Sequence, residues 1–526
     1  MSLKSIKNIY NVNDLKIDNK LNFDDWTILI PAAGKGSRLN FNLPKLLYPI
    51  GNKLIIDILI KKFKFGNFKY VFVLSNQGIK TVETKLKTFN NLKYKIVIQH
   101  KPKGMADALL CAKKVIKTKH TLVIWGDQVG IKSQTLIKCM ELHSKLSSTV
   151  HLTLPSILIK DPYINIVRDS NGSIKYIQQK REGEIKTDFG ETDCGVFLFK
   201  TKELFEKLLL EEKNILNYGA ITNEFNLIPI IKNFDNNNGS LVTVRLNNQQ
   251  EILGINNFDD VINYKNIVNG INKNKKIIFK LSIIIPAYNE EKLIGNVLSN
   301  VLAVDTEKLG FEKEIIVIND GSTDKTEEII KRVKHINLIN KSNGGKGSAV
   351  KLGIKKATGD FILIQDADME YYPSDYIEML KKIGNSMSTV VYGSRIKGAI
   401  KYYTCKKIFL GKHPKQSFGA YFANILISIF TFLLYGRYIS DMLTAYKIYP
   451  AFFMKDLKID TNGFETDHEI SAKLIRNKFC IIEVPIKYNP RTKAEGKKIS
   501  MLDGFIAIKT LFKYRFININ WIIKKF

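Results

Sequence analysis

Three stretches of the chain carry residue types whose spacing suits phosphate and metal chemistry. In AAGKGSRL (32–39), closely followed by Pro44 and Lys45, Gly34 and Gly36 allow a tight turn beside Ala33. The backbone N–H groups of such a turn can face phosphate oxygens. Arg38 and Lys45 add fixed positive charge of the kind a triphosphate needs. In LVIWGD (122–127) an apolar run ends on Asp127. In FILIQDADME (361–370) another run ends on Asp366, Asp368 and Glu370. Three carboxylates this close repel one another unless a divalent cation or a proton lies between them. A solvated acidic turn is the competing reading of D-x-D taken alone.

The elements that must position these residues are short apolar strands. Trp26–Pro31 (WTILIP), Leu122–Asp127 (LVIWGD), the opening of Leu281–Glu290 (LSIIIPAYNE), Glu314–Asp324 (EIIVINDGSTD) and the four apolar residues that open Phe361–Glu370 all read as strands alternating with helical stretches such as Lys325–Val333. That alternation predicts mostly parallel sheets, whose ligand sites lie beyond the carboxyl ends of the strands. A length of 526 residues exceeds one core. The polar, lysine-rich run NYKNIVNGINKNKK marks a linker at 263–280. The expected order is a polar extension at 1–24, a domain at 25–262, the linker, a domain at 281–490 and a basic, aromatic tail at 491–526.

With its glycine turn, its Pro44–Lys45 pair and its strand ending in Asp127, the 25–262 stretch resembles the sugar-1-phosphate nucleotidyltransferases. The likeness is greatest to the uridylyltransferase domain of bacterial N-acetylglucosamine-1-phosphate uridylyltransferase. The resemblance implies that Gln99 and Gly104 hold the base and that Asp127 and Asn256 hold magnesium. It also implies that Gln178, Asp193 and Gly195 lie beside the sugar. Asp193 and Cys194 stand where the family has Asn and Thr, and Gln178 where it has Glu, so the departures fall on the sugar side. The family's left-handed β-helix acyltransferase domain has no counterpart here. The implied reaction is attack of a sugar phosphate oxygen on the α-phosphorus of a nucleoside triphosphate, with pyrophosphate leaving. Both partners are anionic, so a cation with Arg38 and Lys45 to align them is the main catalytic need, and no nucleophilic side chain is required.

The order PAYNE (286–290), NDGSTD (319–324), QDADME (365–370) and YGSR (392–395) resembles the family 2 glycosyltransferases, particularly the dolichyl- or polyprenyl-phosphate mannose synthase group. Together the two resemblances imply two Rossmann-like, GT-A type α/β domains. In the second, Pro286, Tyr288 and Glu290 would border the nucleotide and Asp320 would contact base or ribose. Asp366, Asp368 and Glu370 would hold Mg2+ or Mn2+ on the diphosphate. Lys346, in the glycine-rich turn NGGKGSAV, lacks Walker spacing but is a candidate for the nucleotide. Arg395, Arg491, Lys493 and Lys497 are candidates for an acceptor or donor phosphate, with a solvated basic loop competing at 491–498. An ionised lipid phosphate needs no general base. A hydroxyl acceptor would need one, and Asp441 is the candidate, with a helix cap as its alternative.

The formal charge of +31 fits phosphorylated substrates, an anionic membrane or compositional drift. Nucleic acid is not expected, because no binding module is recognisable. Five scattered cysteines without C-x-x-C pairs argue against a disulfide framework or zinc site. The first 24 residues lack the apolar core of a signal peptide. The uncharged stretch 417–436 is long enough to span a bilayer, yet a span would part SDMLTAYK and GFETDHE from the acidic site. Interfacial amphipathic helices are therefore expected at the C-terminal end, with a buried core helix as the alternative for 417–436. Phe505, Phe512, Tyr514, Phe516 and Trp521 among Lys and Arg suit an anionic headgroup layer.

The expected whole is a bifunctional enzyme, cytoplasmic and peripheral on the cytoplasmic face of the membrane. It would make a nucleotide sugar from a nucleoside triphosphate and a sugar-1-phosphate, and pass a sugar, with inversion, to a polyprenyl phosphate. The alternatives are a hydroxyl-directed polysaccharide or glycolipid transferase, although the processive Q-x-x-R-W signature is absent, and a nucleotide-binding scaffold with one inactive domain.

Overall fold

The computed structural model describes residues 8–18, 20–34, 37–39, 41, 43–51, 53–76, 78–101, 103–214, 217–235, 239–268, 270, 278–383, 386–403, 411–491 and 501–517. The chain forms two compact units. The first is built from residues 1–38, 43–48 and 53–267, the second from 39–42, 49–52 and 268–526.

In the first unit the sheet runs in the order Lys93–Gln99, Lys69–Ser75, Trp26–Pro31, His120–Ile124, Val196–Lys200, Leu152–Lys160, Leu241–Arg245, Ile9–Asn11. Val196–Lys200 is antiparallel to both neighbours, and Phe189–Asp193 pairs antiparallel with Leu152–Lys160. All other pairings along this order are parallel. Every residue of Trp26–Pro31 is buried, as a strand covered on both faces requires. The chain before Trp26, expected as a polar extension, supplies Ile9–Asn11 as the outer strand, paired through Thr243–Arg245. The helix Phe258–Val268 runs into the stretch expected as linker.

In the second unit the order is Ile336–Asn340, Phe311–Asn319, Phe279–Ala287, Phe361–Ile364, Lys447–Pro450, Thr389–Ser394, Cys480–Pro485. Lys447–Pro450 is the reversed strand, antiparallel to Phe361–Ile364 and Thr389–Ser394. Counted from Trp26–Pro31 in the first unit, leaving aside the outer strand Ile9–Asn11 and the short pair Pro49–Ile50 and Lys53–Leu54, and from Phe279–Ala287 in the second, each sheet places three strands in the order 3-2-1, sets the fourth beside the first, and inserts one reversed strand next. The crevice between first and fourth strands is where such sheets bind ligands, because the connections leave in opposite directions there.

The helix Phe418–Tyr435 is long and apolar enough to cross a membrane by length and composition. Its polarity is inverted. Asn424, Ser428 and Thr431 are buried, whereas Phe422, Leu426, Ile429, Phe432 and Leu433 are exposed. It is therefore not the core helix that was one expectation. It meets the helix Met501–Phe516 through Tyr435 Oη, which donates to Leu511 O (2.6 Å), and Arg515 Nε, which donates to Leu434 O (2.6 Å). Phe505, Phe512 and Phe516 of that second helix are exposed as well.

Candidate active sites

In the first unit the strand His120–Ile124 passes into Trp125, Gly126 and Asp127. The backbone crosses Ala32 so closely that a Cβ on Gly126 would lie 2.8 Å from Ala32 Cβ. Lys45 Nζ donates to Asp127 Oδ2 (2.5 Å) and to Asn256 Oδ1 (2.9 Å). The two residues expected to share a metal therefore already aim hard oxygen donors at one point, held by an ammonium. A carboxylate with an amide carbonyl suits magnesium, so the donor set fits. Asn256 is held from behind: Asp260 accepts its N–H (2.7 Å) and that of Asn257 (3.0 Å), while Asn257 Oδ1 accepts Asp260 N–H in return (3.0 Å). This reciprocal cap starts the Phe258–Val268 helix. Burial pushes the Asp260 carboxyl above its usual range.

Gln99 donates to Gly104 O (3.0 Å) and Asp107 Oδ2 (2.6 Å). Gly104 has φ +116°, and a Cβ there would lie 2.4 Å from Phe225 O, so a close backbone approach demands glycine. On the sugar side, Gln178 joins Asn165 (2.9 Å) and Glu184 O (2.9 Å). Asp193 Oδ2 accepts Gly195 N–H (2.8 Å), and burial raises the Asp193 carboxyl. Ala33 is partly buried, Gly34 and Arg38 are exposed, and Gly36 lies outside the described residues. Sequence reasoning passed over Gln128, which follows Asp127 and links both sides of this site. Its only sequence signal is a polar residue directly after the strand-ending aspartate.

In the second unit Asp366 pairs with Lys346, while Asp368 and Glu370 share Arg491. Asp366 Oδ1 lies 2.7 Å from Lys346 Nζ. Asp368 Oδ2 accepts from Arg491 (2.8 Å). Glu370 accepts from Tyr488 Oη (2.9 Å) and Arg491 N–H (2.9 Å). Among the described residues no group of three or more His, Cys, Asp or Glu side chains is arranged to hold a metal ion. The expected Asp366–Asp368–Glu370 ligand triple is thus not assembled here, since Glu370 faces Tyr488 and the 489–491 backbone. Asp366 and Asp368 still offer hard oxygens of the kind a divalent cation takes. Burial, then the Asp366 and Glu370 charges, push the Asp368 carboxyl up to about 7 against the pull of Arg491. Burial disfavours the Lys346 ammonium, but Asp366, Asp467 and Asp368 hold its pKa above the usual range. Two cations thus balance a site with excess negative charge.

Other expected residues take supporting positions. Asp320 accepts from Lys341 Nζ, Gly344 N–H (3.1 Å) and Gly345 N–H (2.9 Å), so it shapes the glycine-rich turn. That turn packs on 462–466, where a Cβ on Gly347 would lie 2.1 Å from Thr466 Oγ1. The same packing puts Lys346 Nζ 5.6 Å from the Phe464 ring centroid. Glu290 lies 3.8 Å from Arg491, Pro286 is partly buried and Tyr288 is exposed. Asp441, fully buried, receives three 2.8 Å bonds from Arg395, two from the guanidinium and one from its backbone N–H. The last satisfies the first turn of the helix Arg395–Tyr402. With a bidentate guanidinium on its carboxylate, Asp441 is placed to orient Arg395, whose other face lies 5.0 Å from the Tyr488 ring centroid. Lys493 and Lys497 lie outside the described residues. Gln365 also escaped notice: its Oε1 accepts from Tyr376 and Tyr446 (2.5 Å each), and its Nε2 donates to Asp366 O (2.8 Å).

Comparison with known proteins follows this division. Residues 282–442 match the family described as Glycosyl transferase family 2, and residues 28–152 match the MobA-like NTP transferase domain. The chain is 31% identical over 241 residues to UDP-N-acetylglucosamine–dolichyl-phosphate N-acetylglucosaminyltransferase of Methanococcus voltae, covering 41% of this chain and 89% of that protein. It is 28% identical over 258 residues to the bifunctional protein GlmU of Clostridium botulinum, covering 46% of this chain and 54% of that protein. For GlmU of Buchnera aphidicola the identity is 29% over 231 residues, covering 44% and 48%. The chain spans about half the length of the GlmU relatives it matches. A nucleotidyltransferase domain and a glycosyltransferase domain are thus fused in one polypeptide, which belongs through the latter to the family 2 glycosyl transferases.

Proposed function

We propose that the first unit condenses a nucleoside triphosphate with a sugar-1-phosphate to a nucleotide sugar and pyrophosphate, and that the second transfers a sugar, with inversion, to a polyprenyl phosphate. One observation carries this reading: in both units the strand beside the central one is followed within three residues by an aspartate that faces a lysine at the start of a helical turn, Asp127 with Lys45 and Asp366 with Lys346. Both reactions bring anions together or release one, and paired cations and carboxylates at a switch point serve that need. Asp127 and Asn256 in the first unit, and Asp366 and Asp368 in the second, would hold Mg2+ or Mn2+, which supplies positive charge for the diphosphate when bound. Lys45 and Arg38 orient the triphosphate. Lys346 and Arg491 face the donor diphosphate, and Arg395, stiffened by Asp441, receives the acceptor phosphate.

The bidentate Arg395 pair on Asp441 supports an acceptor that arrives already ionised, because the candidate base for a hydroxyl has no free carboxylate edge. The relative named as a dolichyl-phosphate transferase supports a lipid acceptor. The outward apolar faces of Phe418–Tyr435 and Met501–Phe516 support peripheral seating on a membrane, and the acceptor and the activated donors point to its cytoplasmic face. The economical arrangement is that the first unit's product is the second unit's donor.

The test is a screen of nucleoside triphosphates against sugar-1-phosphates, following pyrophosphate release, with each product then offered with polyprenyl-phosphate vesicles. A labelled monosaccharide that extracts into organic solvent is expected. Labelled polymer that stays aqueous would refute the lipid-phosphate acceptor. A nucleotide sugar that the second unit neither hydrolyses nor transfers would refute the coupling.

A further inference from the structure

The side chain of Gln128 is buried, 2% exposed, and its amide makes four bonds to three segments. Its Oε1 accepts Gly130 N–H (2.7 Å) and Ile131 N–H (3.2 Å). Its Nε2 donates to Glu251 O (3.2 Å), at the start of the segment bearing Asn256, and to Cys194 O, in the turn between Asp193 and Gly195. Both donors and both acceptor sites of the amide are used, so the residue is specified by hydrogen bonding rather than by packing.

The two segments it joins are not equally well held without it. The metal-side segment has its own ties: Ile255 N–H to Asp127 O (2.9 Å), Val129 and Gly130 N–H to Leu253 O (3.0 and 2.9 Å), Lys132 N–H to Glu251 Oε2 (3.0 Å), and the Asp260 cap. The sugar-side turn is held at its two ends by strand pairing, Asp193 opposite Ser156 and Val196 opposite Ile124, and has few ties between them. Cys194 N–H donates to Pro155 O (3.2 Å) and Gly195 O accepts from Trp125 (3.0 Å), while the bond between Asp193 and Gly195 is internal to the turn. Gly195 sits at φ +68°, a conformation held by its surroundings. Removing the amide leaves Cys194 O buried without this donor and lets the Cys194–Gly195 backbone reorient between its paired ends, with Asn256 and Asp127 still anchored.

We infer that Gln128 is a positioning residue for the sugar phosphate, fixing the Asp193–Gly195 turn against the strand end that carries Asp127. The inference rests on the nucleotidyl-transfer reading of the first unit. A displaced turn weakens sugar phosphate binding and leaves triphosphate binding intact, because Lys45 is tied to Asp127 and Asn256 on the independently held side.

The test uses the full chain with UTP and N-acetylglucosamine-1-phosphate, or with another pair that releases pyrophosphate in the screen. Gln128→Met is expected to raise KM for the sugar-1-phosphate on the order of tenfold to a hundredfold, the scale of a misplacement near 1 Å, with KM for the triphosphate within about twofold of wild type. Gly195→Ala, whose Cβ would lie 2.9 Å from Trp125 Cδ1, displaces the same turn and should give the same split. Equal rises in both KM values, a fall in kcat alone or wild-type constants would overturn the inference. Should Gln128→Met fail to fold, Gln128→Glu keeps the acceptors for Gly130 and Ile131 and loses the donor to Cys194. A normal sugar-phosphate KM in that variant overturns the inference equally. If the wild-type chain releases pyrophosphate with no pair, the parent reading falls and takes this one with it. If wild type turns over and the variants do not split, this one alone fails.

Discussion

Replacing Asp441 by Asn separates an orienting role from a general base. The side chain is fully buried and takes three 2.8 Å bonds from Arg395, so the substitution removes the charge opposite a largely buried guanidinium while preserving shape. Breaking one side of a buried ion pair costs about 3–5 kcal/mol, since the surviving charge loses its compensation. For a unit of this size each kcal/mol moves the melting temperature by roughly 2–4 °C. Asp441→Asn should therefore lower one unfolding transition of the full chain by about 6 °C or more in scanning calorimetry, and added salt should change the loss little because the pair is shielded from solvent. Replacing both partners, Arg395→Met with Asp441→Leu, should restore most of the lost stability while transfer stays abolished, because a buried pair exchanged for apolar groups is often neutral. An Asp441→Asn enzyme that melts like wild type yet transfers no sugar would refute this account and return Asp441 to the role of base.

In the first unit, Asp127→Ala and Lys45→Ala should each lower pyrophosphate release about a hundredfold or more, and sugar transfer from a supplied nucleotide sugar should be unchanged. Normal turnover by Asp127→Ala would remove its assigned role. For Asp375, burial outweighs the Lys487 N–H bond (2.7 Å) and pushes the carboxyl up to about 6 from an ordinary value near 4. The folded state holds this proton more tightly than the unfolded chain, so stability is lost as pH rises through the window from about 4 to 6. Asp375→Asn should therefore gain up to about 3 kcal/mol relative to wild type at pH 7.5 and little at pH 4, measured by urea unfolding at both pH values; equal differences at both would refute this. Leu426 and Leu433 are 62% and 74% exposed on the inverted helix. Changing both to Ser should weaken co-sedimentation with anionic vesicles by about tenfold per residue, as removing one or two kcal/mol of apolar burial each implies. Unchanged sedimentation would separate this face from the membrane.

The sheets were legible in the sequence because their central strands are covered on both faces. WTILIP and FILI are continuous apolar runs, and all their residues are buried. The strand-ending acids Asp127 and Asp366 were legible for the same reason, since a polar residue at the end of such a run marks its carboxyl edge. What escaped has no periodicity to betray it. Gln128 and Gln365 are single amides that each bind a distant segment as well as their own neighbours: Cys194 and Glu251 for the one, Tyr446 for the other. The pairing of Arg395 with Asp441 spans 46 positions, so spacing could not distinguish base from clamp. The apolar stretch at 418–435 was visible, but its inverted faces depend on Asn424 reaching Ser440 and Leu443, a tertiary fact. The edge strand Ile9–Asn11 was hidden because its three residues are only partly buried and its pattern is too short to read.

The lysines beside Asp127 and Asp366 make each crevice its own counter-ion reservoir. A free cation entering either one would meet a tethered rival at high local concentration, so its occupancy would be an exchange and not a simple addition. On the proposed reading, an ammonium displaced in this way would become available where the polyphosphate would be received. Charge balance would thus be handed from carboxylate to substrate within one side chain's reach, making the arrival of metal and of nucleotide two halves of a single event.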